Sequence, residues 1–196
     1  MNNTPHTNCL TLRLLHAAKG YKAVAFDIFD TLLKRDCAHP ADLFALMEVT
    51  HQAALGFAEA RVAAEAENRQ TLGREVTLAE IYAHPALRGT DPAAECAAEL
   101  AMIAPNRPVA QAAAACHARG QKVYAVSDMY LPKEQIEAML QKCGLDFLDG
   151  VFVSCEYRVQ KRSGKLFKLF LQQTALRPAE VLFVGDLSLI HISEPT

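Results

Sequence analysis

Four short runs along the chain are apolar without alternation: Lys22-Ala-Val-Ala-Phe26, Lys122-Val-Tyr-Ala-Val126, Val151-Phe-Val153 and Val181-Leu-Phe-Val184. β-Branched and aromatic residues uninterrupted by polar ones mark strands covered on both faces, and therefore a parallel sheet. Helical periodicity fills the later gaps. Pro132 to Cys143 opens on a proline and closes at Gly144, and Ser163 to Leu176 spaces Leu166, Phe167, Leu169 and Phe170 as a helix would. Pro108 to Arg119, alanine-rich and closed by Gly120, predicts the crossover helix that feeds the second strand. Strand and helix alternate as in a doubly wound, Rossmann-like α/β fold.

The interval from Cys37 to Asn106 breaks this rhythm, with helical patterns and no convincing strand. Asp42 to Ala54 and Ala58 to Gln70 are rich in Ala, Leu, Glu and Arg; Thr77-Leu-Ala-Glu80 reads as a capping box, and Asp91-Pro92 as an N-cap followed by a first-turn proline. Residues 1–36 and 107–186 are thus expected to form the α/β core and 37–106 an inserted helical cap. Residues 187–196, Leu187-Ser-Leu-Ile-His-Ile-Ser-Glu-Pro-Thr196, resemble the translation of a transposase adapter used in preparing sequencing libraries. They are expected to be a non-native tail on a truncated reading frame, and the core to lack its last strand and helix.

A chain of 196 residues, 51% hydrophobic and 21% charged, can bury a core. Its net charge of −2, with no Lys/Arg block, argues against a nucleic-acid partner. Arg13 and His16 interrupt Leu10 to Ala17, so no signal peptide is read there, and no run reaches bilayer-spanning length. The six cysteines have no Cys-x-x-Cys spacing and read as reduced thiols, mostly small core residues, in a cytoplasmic protein with no membrane partner.

The chemistry is expected where the strands end. Asp27 follows the first apolar run, Ser127-Asp128 the second, Ser154 the third and Gly185-Asp186 the fourth. In a parallel sheet these ends share one edge, where open α/β sheets bind ligands. A carboxylate there can act as a nucleophile, forming a covalent intermediate that water later cleaves.

In these residues the chain resembles the haloacid-dehalogenase superfamily from about Lys22 to Asp186. The four motifs fall in order: Phe26-Asp-Ile-Phe-Asp-Thr-Leu-Leu33, Val126-Ser-Asp-Met-Tyr130, a lysine within Lys161-Arg-Ser-Gly-Lys-Leu-Phe167, and Phe183-Val-Gly-Asp186. The wording is similar to that of a subgroup of predicted hydrolases without a defined substrate, some of them joined to glycosyltransferases. The resemblance implies Asp27 as nucleophile, Ser127 and Lys161 as donors to a transferring phosphoryl group, and Asp27, the Phe29 backbone carbonyl and Asp186 as ligands of Mg²⁺. Lys161, six residues before Phe167 as in the family wording, is favoured over Lys165, which reads as a solvated helix face. Thr31 is expected to hydrogen-bond locally and hold the loop, and with Ser127, Asp128 and Lys161 to line the site of a small phosphorylated substrate.

The chain also departs from the pattern. Family phosphatases carry an aspartate two residues after the nucleophile as acid and base; here Phe29 stands there, and the acid is one residue later, at Asp30. Asp30 takes the role if the loop bulges and otherwise caps a turn. Superfamily dehalogenases carry an aromatic two residues after the nucleophile, so a metal-independent dehalogenase-like hydrolase is the alternative. A non-catalytic module binding a ligand or a glycosyltransferase is a third. Arg35, Tyr130 and Arg158 are read as capping or packing residues before anion contacts, and Glu65, Glu67 and Glu99 as a solvated helix face.

Overall fold

The computed structural model describes residues 8–185 and the backbone of residues 188–190. From the N-terminus, α1 (Cys9–Ala17) leads into β1 (Ala23–Phe26), then after a turn comes the short β2 (Leu33–Arg35). Helices α2 (Asp42–Val49), α3 (Phe57–Leu72), α4 (Leu78–Tyr82) and α5 (Pro92–Met102) follow, closed by β3 (Ile103–Pro105). The remainder alternates: α6 (Arg107–Ala118), β4 (Lys122–Ser127), α7 (Lys133–Lys142), β5 (Gly150–Val153), the single-turn α8 (Ser154–Tyr157), α9 (Lys165–Thr174), β6 (Val181–Gly185) and β7 (Ser188–Ile190).

The sheet runs β5-β4-β1-β6-β7, parallel except for β7, which pairs antiparallel with β6 through residues set apart above as tail. Both faces are covered, as the unalternating apolar runs predict. Val24, Phe26, Val123, Ala125, Leu182 and Val184 pack with α1, α6 and α7 on one side. Ala25, Val126, Phe152 and Phe183 meet Leu166 and Phe170 of α9 on the other, where Phe170 stands edge-on to Phe152, Phe183 and Tyr124. The chain leaves β1 toward β4 and returns to β6 on the opposite flank, so strand order reverses between β1 and β6.

Three expectations are corrected. The insert contains a strand after all: β3 pairs antiparallel with β2, Leu33 opposite Pro105 and Arg35 opposite Ile103, making a two-stranded stem for the helices between them. Three residues are too few for a period-2 pattern to register. The segment before β1, read only for a leader, forms α1, capped by the Asn8 side chain on the Leu10 N–H and packed through Leu14 and Leu15. Of the free cysteines only Cys116 and Cys155 are buried; Cys37, Cys96 and Cys143 are half-buried and Cys9 is exposed. Among the described residues no helix is long and apolar enough to cross a membrane.

The caps of α4 and α5 form as predicted, with Thr77 and Glu80 in a reciprocal box and Asp91 accepting from the Ala93 N–H. At the centre of the helical insert Arg61 is wholly buried. Its guanidinium donates to both carboxylate oxygens of buried Glu95 (2.7 and 2.9 Å) and to Glu65, and lies 4.6 Å from the ring centre of Tyr130, a residue of the loop after β4. Tyr82 donates to the same Glu95. Arg61→Ala leaves the Glu95 charge buried without its cation and is expected to cost about 3 to 5 kcal/mol, read as a lower urea midpoint at unchanged slope.

Candidate functional site

The carboxyl ends of β1, β4 and β6 meet under the helical insert. Asp27 follows β1 directly, and its N–H continues the β1–β6 ladder by donating to the Val184 carbonyl at 2.8 Å. That register puts Gly185 beside it; a Cβ there would lie 3.6 Å from the Asp27 Cβ. Asp27 Oδ1 accepts from the Ile28 N–H (2.9 Å) and from Lys161 Nζ (2.7 Å), while Oδ2 takes no hydrogen bond among the described residues. The pair is only about one-fifth exposed, so little solvent screens it. Lys165, in contrast, opens α9 and is exposed, which places Lys161 and not Lys165 at the carboxylate.

Lys161 is held from behind. Asp128 accepts the Lys161 backbone N–H on both oxygens, at 2.8 and 3.1 Å, and thereby fixes the start of the 3₁₀ turn Lys161–Ser163. Burial pushes the Asp128 carboxyl up from its ordinary range, against the pull of that N–H. The loop carrying Asp128 is pinned in turn by Ser154, whose hydroxyl accepts from the Met129 N–H and donates to the Met129 carbonyl. Ser127, 2% exposed, ends β4 between these groups.

A cleft of about 380 Å³ opens above this edge, bounded by Asp27, Asp30, Ser127, Asp128 and Lys161 from the core and by Glu65 and Arg69 from α3. Asp30 reaches it because the chain turns sharply after Ile28. Its φ of 58° is left-handed, a conformation an aspartate tolerates better than most side chains, and it is exposed on the cleft. The turn after Ile28 thus brings Asp30 to the cleft that Asp27 also borders. Phe29 and Arg35 border the same cleft: the Phe29 ring lies 4.0 Å from the Arg35 guanidinium, itself bidentate to buried Glu99 of α5 (2.9 and 3.0 Å). Arg35 packs on Phe29 and Glu99 while it also borders the cleft, and burial, which lowers its pKa, is outweighed by Glu99, which raises it.

Other readings need correction. Glu99 is 1% exposed and Glu65 lies among arginines at the cleft, so of the three glutamates read as a solvated helix face only Glu67 is one. The Thr31 hydroxyl is buried and without a hydrogen-bond partner among the described residues; the loop is held instead by the Thr31 carbonyl, which accepts from Asn106 Nδ2 at 2.7 Å. Thr31 does not line the cleft. Arg69 was not singled out in the sequence, since a cationic residue near a helix C-terminus reads as dipole compensation.

For Mg²⁺, Asp27 offers a hard oxygen with Oδ2 open, and the Phe29 carbonyl follows two residues on, both donors of suitable chemistry. Asp186 lies outside the described residues. Among those described, no group of three His, Cys, Asp or Glu is gathered for a metal.

A doubly wound core with a carboxylate–lysine pair at its switch point, below inserted helices, defines an α/β protein with a cleft lined by charges of both signs. The family described as haloacid dehalogenase-like hydrolase matches residues 21–187, and the chain belongs to it. Solved structures of like fold include the L-2-haloacid dehalogenase of Xanthobacter autotrophicus with chloropropionic acid covalently bound (TM-score 0.56, 20% identity, 83% of this chain and 69% of that one). Others are the defluorinating L-2-haloacid dehalogenase Rha0230 (0.58, 22%, 84% and 73%) and the Bacteroides thetaiotaomicron family enzyme bt-2542 in complex with magnesium and inorganic phosphate (0.56, 14%, 84% and 84%). At these identities the likeness is one of fold. No curated protein matches the chain.

The insert is strapped to the core at Glu80, which accepts from Arg74 of the insert and from Arg158 of the loop after α8. The Arg74 hydrogen bonds, with those of Thr77 and Arg158, pull its pKa from 4.5 down to about 2. A carboxylate whose folded pKa is depressed contributes its stability above the unfolded value and loses it as pH falls toward the folded one. The stability difference between wild type and Glu80→Gln is expected to be full above pH 4.5 and to shrink steadily toward pH 2; a gap that stays constant in urea titrations across that range refutes the assignment.

Proposed function

We propose that the protein is a Mg²⁺-dependent phosphohydrolase or phosphotransferase that acts on a small phosphorylated metabolite through an aspartyl-phosphate at Asp27. The observation that carries this reading is the geometry of the Asp27 carboxylate: one oxygen held by Lys161 and the Ile28 N–H, the other open beside a cleft edged by Ser127. An anchored carboxylate with a free oxygen is a pre-oriented nucleophile.

Asp27 attacks phosphorus and the bond from phosphorus to the ester oxygen breaks, so the phosphoryl group passes to the carboxylate and the alcohol leaves with a proton. Asp30 is the acid on the cleft available to give that proton and then to take one from the attacking water, which releases phosphate and restores the carboxylate. Lys161 and the Ser127 hydroxyl meet the charge that develops on the phosphoryl oxygens. Asp27, the Phe29 carbonyl and Asp186 would hold Mg²⁺, which when bound would supply positive charge between the carboxylate and the phosphate. Asp128 acts one step back, as a positioning residue for Lys161.

A specific feature favours the dehalogenase-like alternative: Phe29 stands where family phosphatases keep their acid, and several structural neighbours are haloacid dehalogenases. The lining of the cleft, charged at Asp30, Arg35, Glu65, Arg69, Asp128 and Lys161 and apolar at Phe29, Pro40 and Met129, suits a small anion, a description that a phosphate ester and a 2-haloacid both meet.

With a panel of phosphate esters and Mg²⁺, Asp27→Asn is expected to lose on the order of 10⁴-fold in kcat/KM, and Lys161→Ala about 10²- to 10³-fold. Equal turnover by wild type and Asp27→Asn discards the nucleophile. A chelator is expected to abolish turnover; full activity in its presence, with halide released from 2-haloacids, transfers the assignment to the dehalogenase reading.

A further inference from the structure

A second cleft, of about 440 Å³, adjoins the first and shares two of its walls, Arg69 and Asp128. Its other bounding residues are Gly73, Arg74, Gln160 and Arg162. Three arginines therefore border one space that adjoins the cleft holding Asp27. The turn at Lys161–Ser163 serves both clefts: Lys161 points into the first, while its neighbours Gln160 and Arg162 border the second.

The acids nearby are already engaged. Both oxygens of Asp128 take the Lys161 N–H. Glu75 is wholly buried and bonded by Arg69, the Val76 N–H and the Gln160 amide. Glu80 is taken by Arg74, Arg158 and the Thr77 N–H, and Glu65 by Arg61 and Arg69. Of the cations, Arg74 gives both terminal nitrogens to Glu80 and Arg69 gives its terminal nitrogens to Glu65 and Glu75. Arg162 is exposed and, among the described residues, has no ion pair or hydrogen bond through its side chain, and the Arg69 Nε–H is buried with no partner. Planar guanidinium groups converging on a cavity select oxyanions, which they bind in bidentate fashion.

We propose that this second cleft is a subsite for a second oxyanion of the substrate, a phosphate or carboxylate, gripped by Arg162 beside walls formed by Arg69 and Arg74, so that the enzyme selects small metabolites with two anionic groups. One group lies at Asp27 and the other at Arg162; the proposal rests on the phosphate reading of Asp27 for the first of these only.

Calorimetric titration of the full chain with Mg²⁺ separates the two ideas. The probes are propylphosphonate, with one anion, 3-phosphonopropionate, with a phosphonate and a carboxylate, and a series of α,ω-alkanediphosphonates of increasing length. At least one two-anion probe is expected to bind roughly tenfold or more tighter than propylphosphonate. That ratio should collapse in Arg162→Ala and recover in part in Arg162→Lys. Preference for the carboxylate probe or for the diphosphonates identifies the second group. If propylphosphonate binds and no two-anion probe does better, or the advantage survives Arg162→Ala, the subsite is wrong and the phosphate reading stands. If diphosphonates alone bind, dependent on Arg162, the subsite stands and the phosphate reading falls; no binding by any probe removes both.

Discussion

Asp27 and Lys161 are 134 residues apart in the chain and 2.7 Å apart in the fold. A carboxylate this shielded from water needs a compensating charge, and the only way to bring a lysine from beyond the fifth strand is to complete the doubly wound sheet. The β1–β6 register sets Asp27 at the crevice where strand order reverses. Asp128, at the end of β4, then fixes the backbone of the residue that answers it. Three strands must be in register before the pair can form, so the Asp27–Lys161 contact is a consequence of sheet topology and not of any local motif.

The helical insert is joined to this edge through charges as well as the two-stranded stem. Arg35 on the stem bonds Glu99 on α5, Arg61 bonds Glu95 and stacks near Tyr130, and Glu80 and Glu75 reach Arg158 and Gln160 on the loop that carries Lys161. Ion pairs of this kind are dearly desolvated and add little net stability over an apolar contact, but each accepts one geometry and penalises others. The arrangement couples the position of the cover to the position of Lys161.

Strands, crossover helices and helix caps were legible in the sequence because each is a local pattern: unbroken apolar runs, an alanine-rich helix closed by glycine, Thr77 three residues before Glu80. The order of the motifs likewise located Asp27 and Lys161. What stayed hidden is what depends on pairs distant in the chain. Glu99 on a helix reads as solvent-facing until Arg35, 64 residues away, is folded onto it. Arg69, Arg74 and Arg162 share no spacing and converge only when the insert closes over the core. The β2–β3 stem, three residues a side, is too short to leave a period.

The substitution at Phe29 then takes on a structural meaning. A carboxylate at that position would face the same guanidinium that now lies over the Phe29 ring, in competition with Glu99 for Arg35. With an aromatic ring there, Arg35 keeps its bidentate contact to α5 and the stem keeps its link to the insert. The carboxylate of the turn stands instead at the next residue, and a one-residue shift in an extended strand would send it to the other side. The left-handed φ at Asp30 removes that obstacle by turning the chain within the loop, so the carboxylate returns to the cleft it would otherwise face away from. Phe29, Arg35, Glu99 and the turn at Asp30 are thus linked: the ring at Phe29 supports the Arg35–Glu99 attachment of the cover at the edge of the cleft, and the turn sets Asp30 on the same cleft.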